Sequence, residues 1–199
     1  MIGKDILLKY GALETQLSKS EIIFKEGDHA KYYYQIISGE VKMFNINRDG
    51  KEFIQGIFSK NRSFGEPPLF NSGNLYVANA IALQDTNVLK LSKDSFIQLL
   101  KENPDIHIEF TQTLADRLHF KSLMAAEISN NDPEARILTL LDYLKFTIYK
   151  IEEPFEYEVE LTRQQIADLT GLRVETVIRS IKSLEKQGKL KIVSRKVWR

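Results

Sequence analysis

LTRQQIADLTGLRVETVIRSIKSLEKQGKL, residues Leu161 to Leu190, decides how this chain is read. Thr162 precedes an apolar-periodic segment, and Gln165 three residues on completes a capping-box pattern for a helix start. Ile166, Ala167 and Leu169 form the inner face of that first helix, and the small Ala167 lets a second helix cross closely. Gly171 stands where the helix must stop and the chain turn with positive φ, and Leu172 plugs the core beneath it. A second helix then carries Val177, Ile181 and Leu184 at spacings of four and three, which buries one face. Its opposite face displays Arg173, Glu175, Thr176, Arg179 and Lys182. Two helices joined in this way are the helix-turn-helix pattern, which lays its second helix in the major groove of DNA. Arginine pairs bidentately with guanine and glutamate accepts from cytosine N4, so this face holds both kinds of base-reading group. On an isolated amphipathic helix the same residues would read as solvated surface; the helix-turn-helix frame favours DNA.

Charge agrees with that assignment. The chain of 199 residues has 28 Lys and Arg against 27 Asp and Glu, but residues 161–199 hold ten of the former and three of the latter, a net of +7. Residues 1–160 keep 18 and 24, a net of −6. One end is built to meet a polyanion and the rest is not. The tail KLKIVSRKVWR alternates apolar and basic residues as a hairpin wing does, with cations for phosphate contacts.

Composition bounds the remainder. A length of 199 residues accommodates two small domains. No apolar run reaches the 18 residues of a membrane span, and MIGKDILLKYG is too short and too charged for a signal peptide; it reads as a helix packed on the domain behind it. The absence of cysteine excludes disulfides, iron–sulfur clusters and thiolate metal sites. A cytoplasmic protein is expected, with no membrane partner.

From about residue 20 to 92 the chain is strand-like. EIIFKEG, YYYQIISGEVKMFNI, KEFIQGIF and ANAIALQDTNVLKL are rich in Ile, Val, Phe and Tyr, and Gly27-Asp28, Ser38-Gly39, Asp49-Gly50, Gly65 and Gly73 separate them. Asp49-Gly50 between Phe44 and Phe53 predicts a hairpin. Many short strands at this spacing predict an antiparallel barrel or jelly roll. Lys93 to Leu100 reads as a short helix, and Asn103-Pro104 opens a long one running to about Ser129, whose stripe Ile106, Phe110, Leu114, Leu118, Met124 and Ile128 asks for a covering surface. A second copy in a dimer is the economical cover; packing on its own barrel is the alternative. Asp132-Pro133 caps a further helix with Ile137, Leu138, Leu141 and Leu144 inward, and a polar, acidic stretch, Glu152 to Glu160, follows.

The order barrel, long helix, winged helix-turn-helix resembles the Crp/Fnr family of bacterial transcription regulators over nearly the whole chain. The resemblance is carried by Glu26-Gly27-Asp28, Tyr34-Gln35-Ile36-Ile37-Ser38-Gly39-Glu40-Val41, Asp49-Gly50-Lys51-Glu52, Phe64-Gly65-Glu66, Leu114-Ala115-Asp116-Arg117-Leu118 and the helix-turn-helix. It implies an α+β chain: an N-terminal antiparallel β jelly-roll barrel as sensor (1–102), a long dimerisation helix (103–130) and a C-terminal winged helix-turn-helix (131–199). It implies a homodimer on a palindromic operator of double-stranded DNA, RNA polymerase as a further partner, and a small-molecule effector. The DNA-binding residues implied are Thr162, Arg163, Arg173, Val174, Glu175, Thr176, Arg179 and Lys182, and the effector pocket comprises Phe64, Gly65, Glu66, Leu69, Tyr76, Val77 and Lys121.

The departures from the family are informative. Cyclic-nucleotide-binding members place an Arg-Ser or Arg-Thr pair about ten residues after the counterpart of Phe64-Gly65-Glu66 to hold the cyclic phosphate; here Tyr76-Val77 stand there, and no basic residue lies between Arg62 and Lys90. A buried phosphodiester without a cation is costly, so binding of that kind is not expected. Lys121, on the long helix, is a candidate substitute cation or simply a solvated lysine. Glu66 corresponds to a ribose contact or is a carboxylate satisfied within its turn. In the second helix Val174-Glu175-Thr176 resembles the oxygen-sensing branch, which implies a TTGA-like core over TGTGA. His29, His107 and His119 share no ligand spacing, and neither metal nor cofactor is expected. Three alternatives stay open: a sensor module with vestigial DNA binding, a cyclic-nucleotide-responsive regulator with a non-standard phosphate site, and a jelly-roll enzyme, for which the strand region's single histidine is too little.

Overall fold

The computed structural model describes residues 1–50 and 52–199. Lys51, which the hairpin reading and one family motif include, lies outside the described residues. The chain forms two compact units, residues 1–112 and 113–199, and one helix, α3 (Pro104–Asn130), contributes to both.

The first unit is a roll of two antiparallel four-stranded sheets. One has the order β1 (Leu13–Leu17), β8 (Thr86–Ser92), β3 (Tyr32–Ser38), β6 (Ser63–Phe64); the other has β2 (Ile22–Phe24), β7 (Asn79–Ala82), β4 (Val41–Ile46), β5 (Glu52–Phe58). β4 and β5 are hairpin partners in which Ile46 stands opposite Glu52 and Gly50 donates its N–H to the Asn47 carbonyl at 3.0 Å, the connection predicted around Asp49-Gly50.

Strand β3 shows why this roll is well specified. Tyr33, Tyr34, Gln35 and Ile36 are all buried, because the alternation of side chains sends each pair to a different covered face. Tyr33 points outward and stacks on Phe96 at 4.1 Å between centroids. Its hydroxyl donates to Gln35 Oε1 at 2.8 Å, and Gln35 Nε2 donates to the Ile2 carbonyl at 2.8 Å. Tyr34 points inward, against Phe64 at 5.3 Å. The outer cover consists of α1 (Lys4–Lys9), α2 (Lys93–Glu102) and the first turns of α3, through Leu7, Phe96, Leu99 and Phe110. Each large apolar side chain so buried contributes roughly 1.5–3 kcal/mol. Strand β1 was not anticipated: in LETQL only Leu17 is buried, and an edge strand held by main-chain bonds to β8 leaves almost no hydrophobic signature.

The apolar stripe predicted along α3 does not form one face. Phe110 and Met124 are buried within the protomer, whereas Leu118 is 69% exposed. A repeat of four residues overshoots the 3.6-residue turn by about 40° at each step, so the stripe spirals off the inner face. The outward side instead carries Ile108, Ala115, Leu118, Ser122 and Ala125, all exposed, at spacings of seven, three, four and three. Ser122 donates its hydroxyl to the Leu118 carbonyl at 3.0 Å, and exposed Thr111 lies on the same side between Ile108 and Ala115.

The second unit surrounds one apolar core built from Met124, Ile137, Leu140, Leu141, Ile166, Ala167, Leu172, Val177, Ile181, Leu184, Leu190 and Val197. Helix α4 (Pro133–Asp142) begins at Asp132, whose carboxylate accepts from the amides of Glu134 and Ala135 at 2.9 and 3.2 Å. Its inward side holds Ile137, Leu140 and Leu141, while Leu138 and Leu144, expected inside, are half-buried. A π-helical turn, Tyr143–Ile148, continues it. The acidic stretch expected to be a spacer contributes a strand, β9 (Glu158–Val159), which pairs with β11 (Lys196–Trp198) beside β10 (Lys191–Val193). Tyr157 and Val159 are buried there; their alternation with Glu156, Glu158 and Glu160 disguises two core residues as an acidic run.

Candidate nucleic-acid interface and sensor interior

Helix α5 (Arg163–Thr170) starts in a full capping box. Thr162 Oγ1 accepts the Gln165 amide at 3.1 Å while Gln165 Oε1 accepts the Thr162 amide at 2.8 Å. Gly171 ends the helix in the left-handed region at φ 69°, which costs a residue with a Cβ about 1–2 kcal/mol. Leu172 is buried beneath the turn, and Arg173, extended at φ −85°, opens α6 (Val174–Lys186).

Helix α6 is strongly two-faced. Val177, Ser180, Ile181 and Leu184 are buried, whereas Arg173, Glu175, Ile178, Arg179 and Lys182 are exposed. Val174 and Thr176 are half-buried at its flanks. No side-chain hydrogen bond or ion pair joins Arg173, Glu175, Arg179 or Lys182 to another described residue. Two guanidinium groups, one ammonium and one carboxylate therefore stand unengaged along a helix whose other side is anchored. Thr162 is exposed at the start of α5, and Arg163 next to it is half-buried, with partial desolvation lowering its pKa.

The wing is the hairpin β10–β11. Its two-residue turn, Ser194-Arg195, has φ of 50° and 68°, the positive pair that matches strand twist. Several of its cations are spoken for. Lys196 is paired with Glu158, and Lys191 Nζ lies 4.3 Å from the Phe155 ring centroid. Arg199 donates to both carboxylate oxygens of Asp142, at 2.6 and 3.0 Å, and to the Lys189 carbonyl. No local pattern marks Arg199 as a tether, since its partner lies 57 residues away. Arg136 was missed for the same reason: buried in the core, it donates to the Thr170 carbonyl at 3.4 Å and the Ile128 carbonyl at 3.3 Å, bridging the ends of α5 and α3.

The roll interior has a different character. Phe64, Glu66, Leu69 and Tyr76 are buried to 4% exposure or less, and Gly65 turns at φ 74°. Tyr76 lies flat on Phe24, with centroids 3.6 Å apart and planes 5° apart. Phe24 also meets Tyr34 and Phe64, at 6.0 and 6.1 Å. A Cβ on Gly65 would stand 2.8 Å from Phe24 Cζ and 3.2 Å from Tyr76 Cε1, so the turn is glycine because two rings press on it. Val77 points away and is 68% exposed. Lys121 is exposed on α3 in the other unit, where partial desolvation lowers its pKa. Burial pushes the Tyr34 phenol up to about 12 and the Tyr76 phenol higher, the latter reinforced by Tyr34, Glu66 and Asp28. Tyr76 is thus an inward, uncharged ring near carboxylates.

The three histidines do not come together. His29 pairs as an isolated bridge with Leu75 in the roll, and His107 and His119 are exposed on α3. Among the described residues no group of three His, Asp or Glu side chains is arranged to hold a metal. No helix among them is long and apolar enough to cross a membrane.

Comparison with known proteins agrees with this anatomy. Residues 14–103 match the cyclic nucleotide-binding domain and residues 135–198 the Crp-like helix-turn-helix domain. The cAMP-activated global transcriptional regulator CRP of Pasteurella multocida is 34% identical over 171 residues, covering 85% of this chain and 81% of that protein. The cAMP-activated global transcriptional regulator Vfr of Pseudomonas aeruginosa is 30% identical over 188 residues, 92% and 87% of the two chains. In fold, the c-di-GMP responsive global regulator CLP of Xanthomonas campestris superposes with a TM-score of 0.72 at 23% identity over 98% of this chain and 96% of the other.

A β-roll of the cyclic nucleotide-binding type, a long helix and a winged helix-turn-helix define a DNA-binding transcription regulator rather than an enzyme. The chain belongs to the Crp/Fnr family.

Proposed function

We propose that this regulator acts as a homodimer in the cytoplasm, reads a palindromic operator through α6, and is not switched by a cyclic nucleotide held in the manner of its cAMP-activated relatives. The observation that carries the DNA reading is the open face of α6, where Arg173, Glu175, Arg179 and Lys182 stand without side-chain partners among the described residues. Glu175 and Arg179 read base edges, in a TTGA-like half-site; Arg163, Lys182 and the α5 N-terminus at Thr162 meet phosphates, as helix starts do. Arg173, Val174 and Thr176 line the approach.

Dimerisation is supported by the outward side of α3, where Ile108 and Leu118 are 61% and 69% exposed and recur with Ala115, Ser122 and Ala125 at coiled-coil spacing. Two copies side by side match a two-fold operator, and bound upstream of a promoter the dimer has RNA polymerase as its natural neighbour. Against an ordinary cyclic-nucleotide response stand the Phe24–Tyr76 stack, the carboxylates near it and the outward Val77. An effector reaching Phe64, Gly65, Glu66 and Leu69 has to displace rings already in contact.

The test is selection of binding sites from random DNA by the purified, ligand-free protein, with sedimentation of the protein and of the complex. Enrichment of a palindrome bound by two copies supports the reading. Binding that is weak, unspecific and strongly salt-dependent, with or without added cyclic nucleotides, overturns it.

A further inference from the structure

One exposed residue of α6 does not fit a purely polar DNA face. Ile178 is 40% exposed. Glu175 and Lys182, its neighbours at i−3 and i+4, are exposed, while Val174 at i−4 is half-buried and Ile181 at i+3 is buried, so Ile178 lies along the edge of the open face. The other apolar side chain near this face, Val174, is half-buried against the core of the second unit. Ile178 is therefore an aliphatic group that its own protomer leaves partly uncovered, at the edge of the surface assigned to base reading and next to Glu175 and Lys182.

In the major groove the one apolar group that distinguishes a base edge is the 5-methyl of thymine. A β-branched side chain in a helix is held in essentially one χ1 rotamer, so Ile178 presents its methyl groups in a fixed direction at little entropic cost. Side chains on a helix lean toward its N-terminus, which aims Ile178 over the turn that carries Glu175. We infer that Ile178 is a specificity residue that reads a thymine methyl at a base pair adjacent to the one read by Glu175, once in each half-site. The inference rests on the proposal that α6 reads DNA, and adds to it a position and a chemistry.

The experiment uses the operator obtained by selection and replaces its thymines by deoxyuridine one position at a time, which removes the methyl and leaves every hydrogen-bonding group in place. One thymine per half-site is expected to matter. Its replacement weakens binding about fourfold, the worth of one buried methyl, and about fifteenfold when both half-sites are changed. In Ile178→Ala, a substitution the exposed helix position accepts without refolding, thymine and deoxyuridine bind equally at that position, while discrimination at the base pair read through Arg179 persists. Equal binding of thymine and deoxyuridine at every position in the unsubstituted protein overturns the inference and leaves the DNA reading standing. A thymine preference that survives Ile178→Ala also overturns it. If the protein selects no operator at all, the DNA reading falls and the inference with it.

Discussion

The interior of the roll and the open face of α6 are built from opposite principles. Around Phe24 the aromatic rings stack and press until even a Cβ at Gly65 has no room. Along α6 two arginines, a lysine and a glutamate stand without side-chain partners among the described residues. Dispersion and burial fix the first region, so its residues are satisfied by the protein itself. The second is chemically incomplete, and the proposed function completes it with a partner that has phosphates and base edges. Relatives of this chain are named as cAMP-activated; in this chain Phe64 and Tyr76 are buried and packed against Phe24.

The comparison breaks most sharply at Phe24. Phe24→Ala removes the ring on which Tyr76 lies and should cost about 3–5 kcal/mol of stability, read as a fall in the denaturation midpoint, while site selection by α6 stays the same. Altered sequence preference in that variant would show that the two regions are not independent. Arg179→Ala should do the reverse. It loses about 1–3 kcal/mol of preference at one base pair, measured by competition between the selected site and single-base variants. Folding stability should stay within about 0.5 kcal/mol, as for an exposed side chain without partners.

Smaller changes sharpen the contrast. Thr162→Ala removes one half of the capping box and should lower stability by about 1 kcal/mol. Its binding should weaken on all sequences alike. Lys182→Ala should leave stability and sequence preference alone and flatten the salt dependence of DNA binding by about one phosphate contact.

The mildest effect belongs to alkaline pH. Tyr34 is protonated in the fold up to a pKa of about 12, because burial disfavours its phenolate, whereas the unfolded chain loses that proton near 10. Between these values the unfolded state holds fewer protons. Its contribution is therefore fully present below pH 10 and is lost as pH rises through 12. Tyr34→Phe should flatten that decline in denaturation midpoints measured from pH 9 to 12, but not abolish it, since burial raises Tyr76 and Tyr157 as well. An unchanged slope would place Tyr34 in water rather than in the core.

The helix-turn-helix was legible because its determinants are local. A cap needs Thr162 and Gln165 three residues apart, a left-handed turn needs Gly171, and a buried face needs Val177, Ile181 and Leu184 at helical spacing. The hairpin at Asp49-Gly50 and the cap at Asp132 belong to the same class of short-range signals. What was misread depended on partners far along the chain. Edge strand β1 is held by β8, some seventy residues on, Tyr157 and Val159 are buried by a sheet that the C-terminal strands complete, and Arg199 is fixed by Asp142. The stripe on α3 failed for a geometric reason, because spacing by four does not stay on one side of a 3.6-residue helix.

For the candidate sites the division is similar. That a tyrosine stands at 76, and that no cation lies between Arg62 and Lys90, is determined by sequence alone, because charge and its absence are properties of composition. Whether Tyr76 leaves an open pocket or closes it was decided only by tertiary structure, which lays the ring on Phe24 of β2. Likewise the sequence determined that α6 is amphipathic, but only the folded unit decided that Val174 turns partly inward while Ile178 stays in the open. Burial is a property of what the rest of the chain places against a residue, and no local pattern contains it.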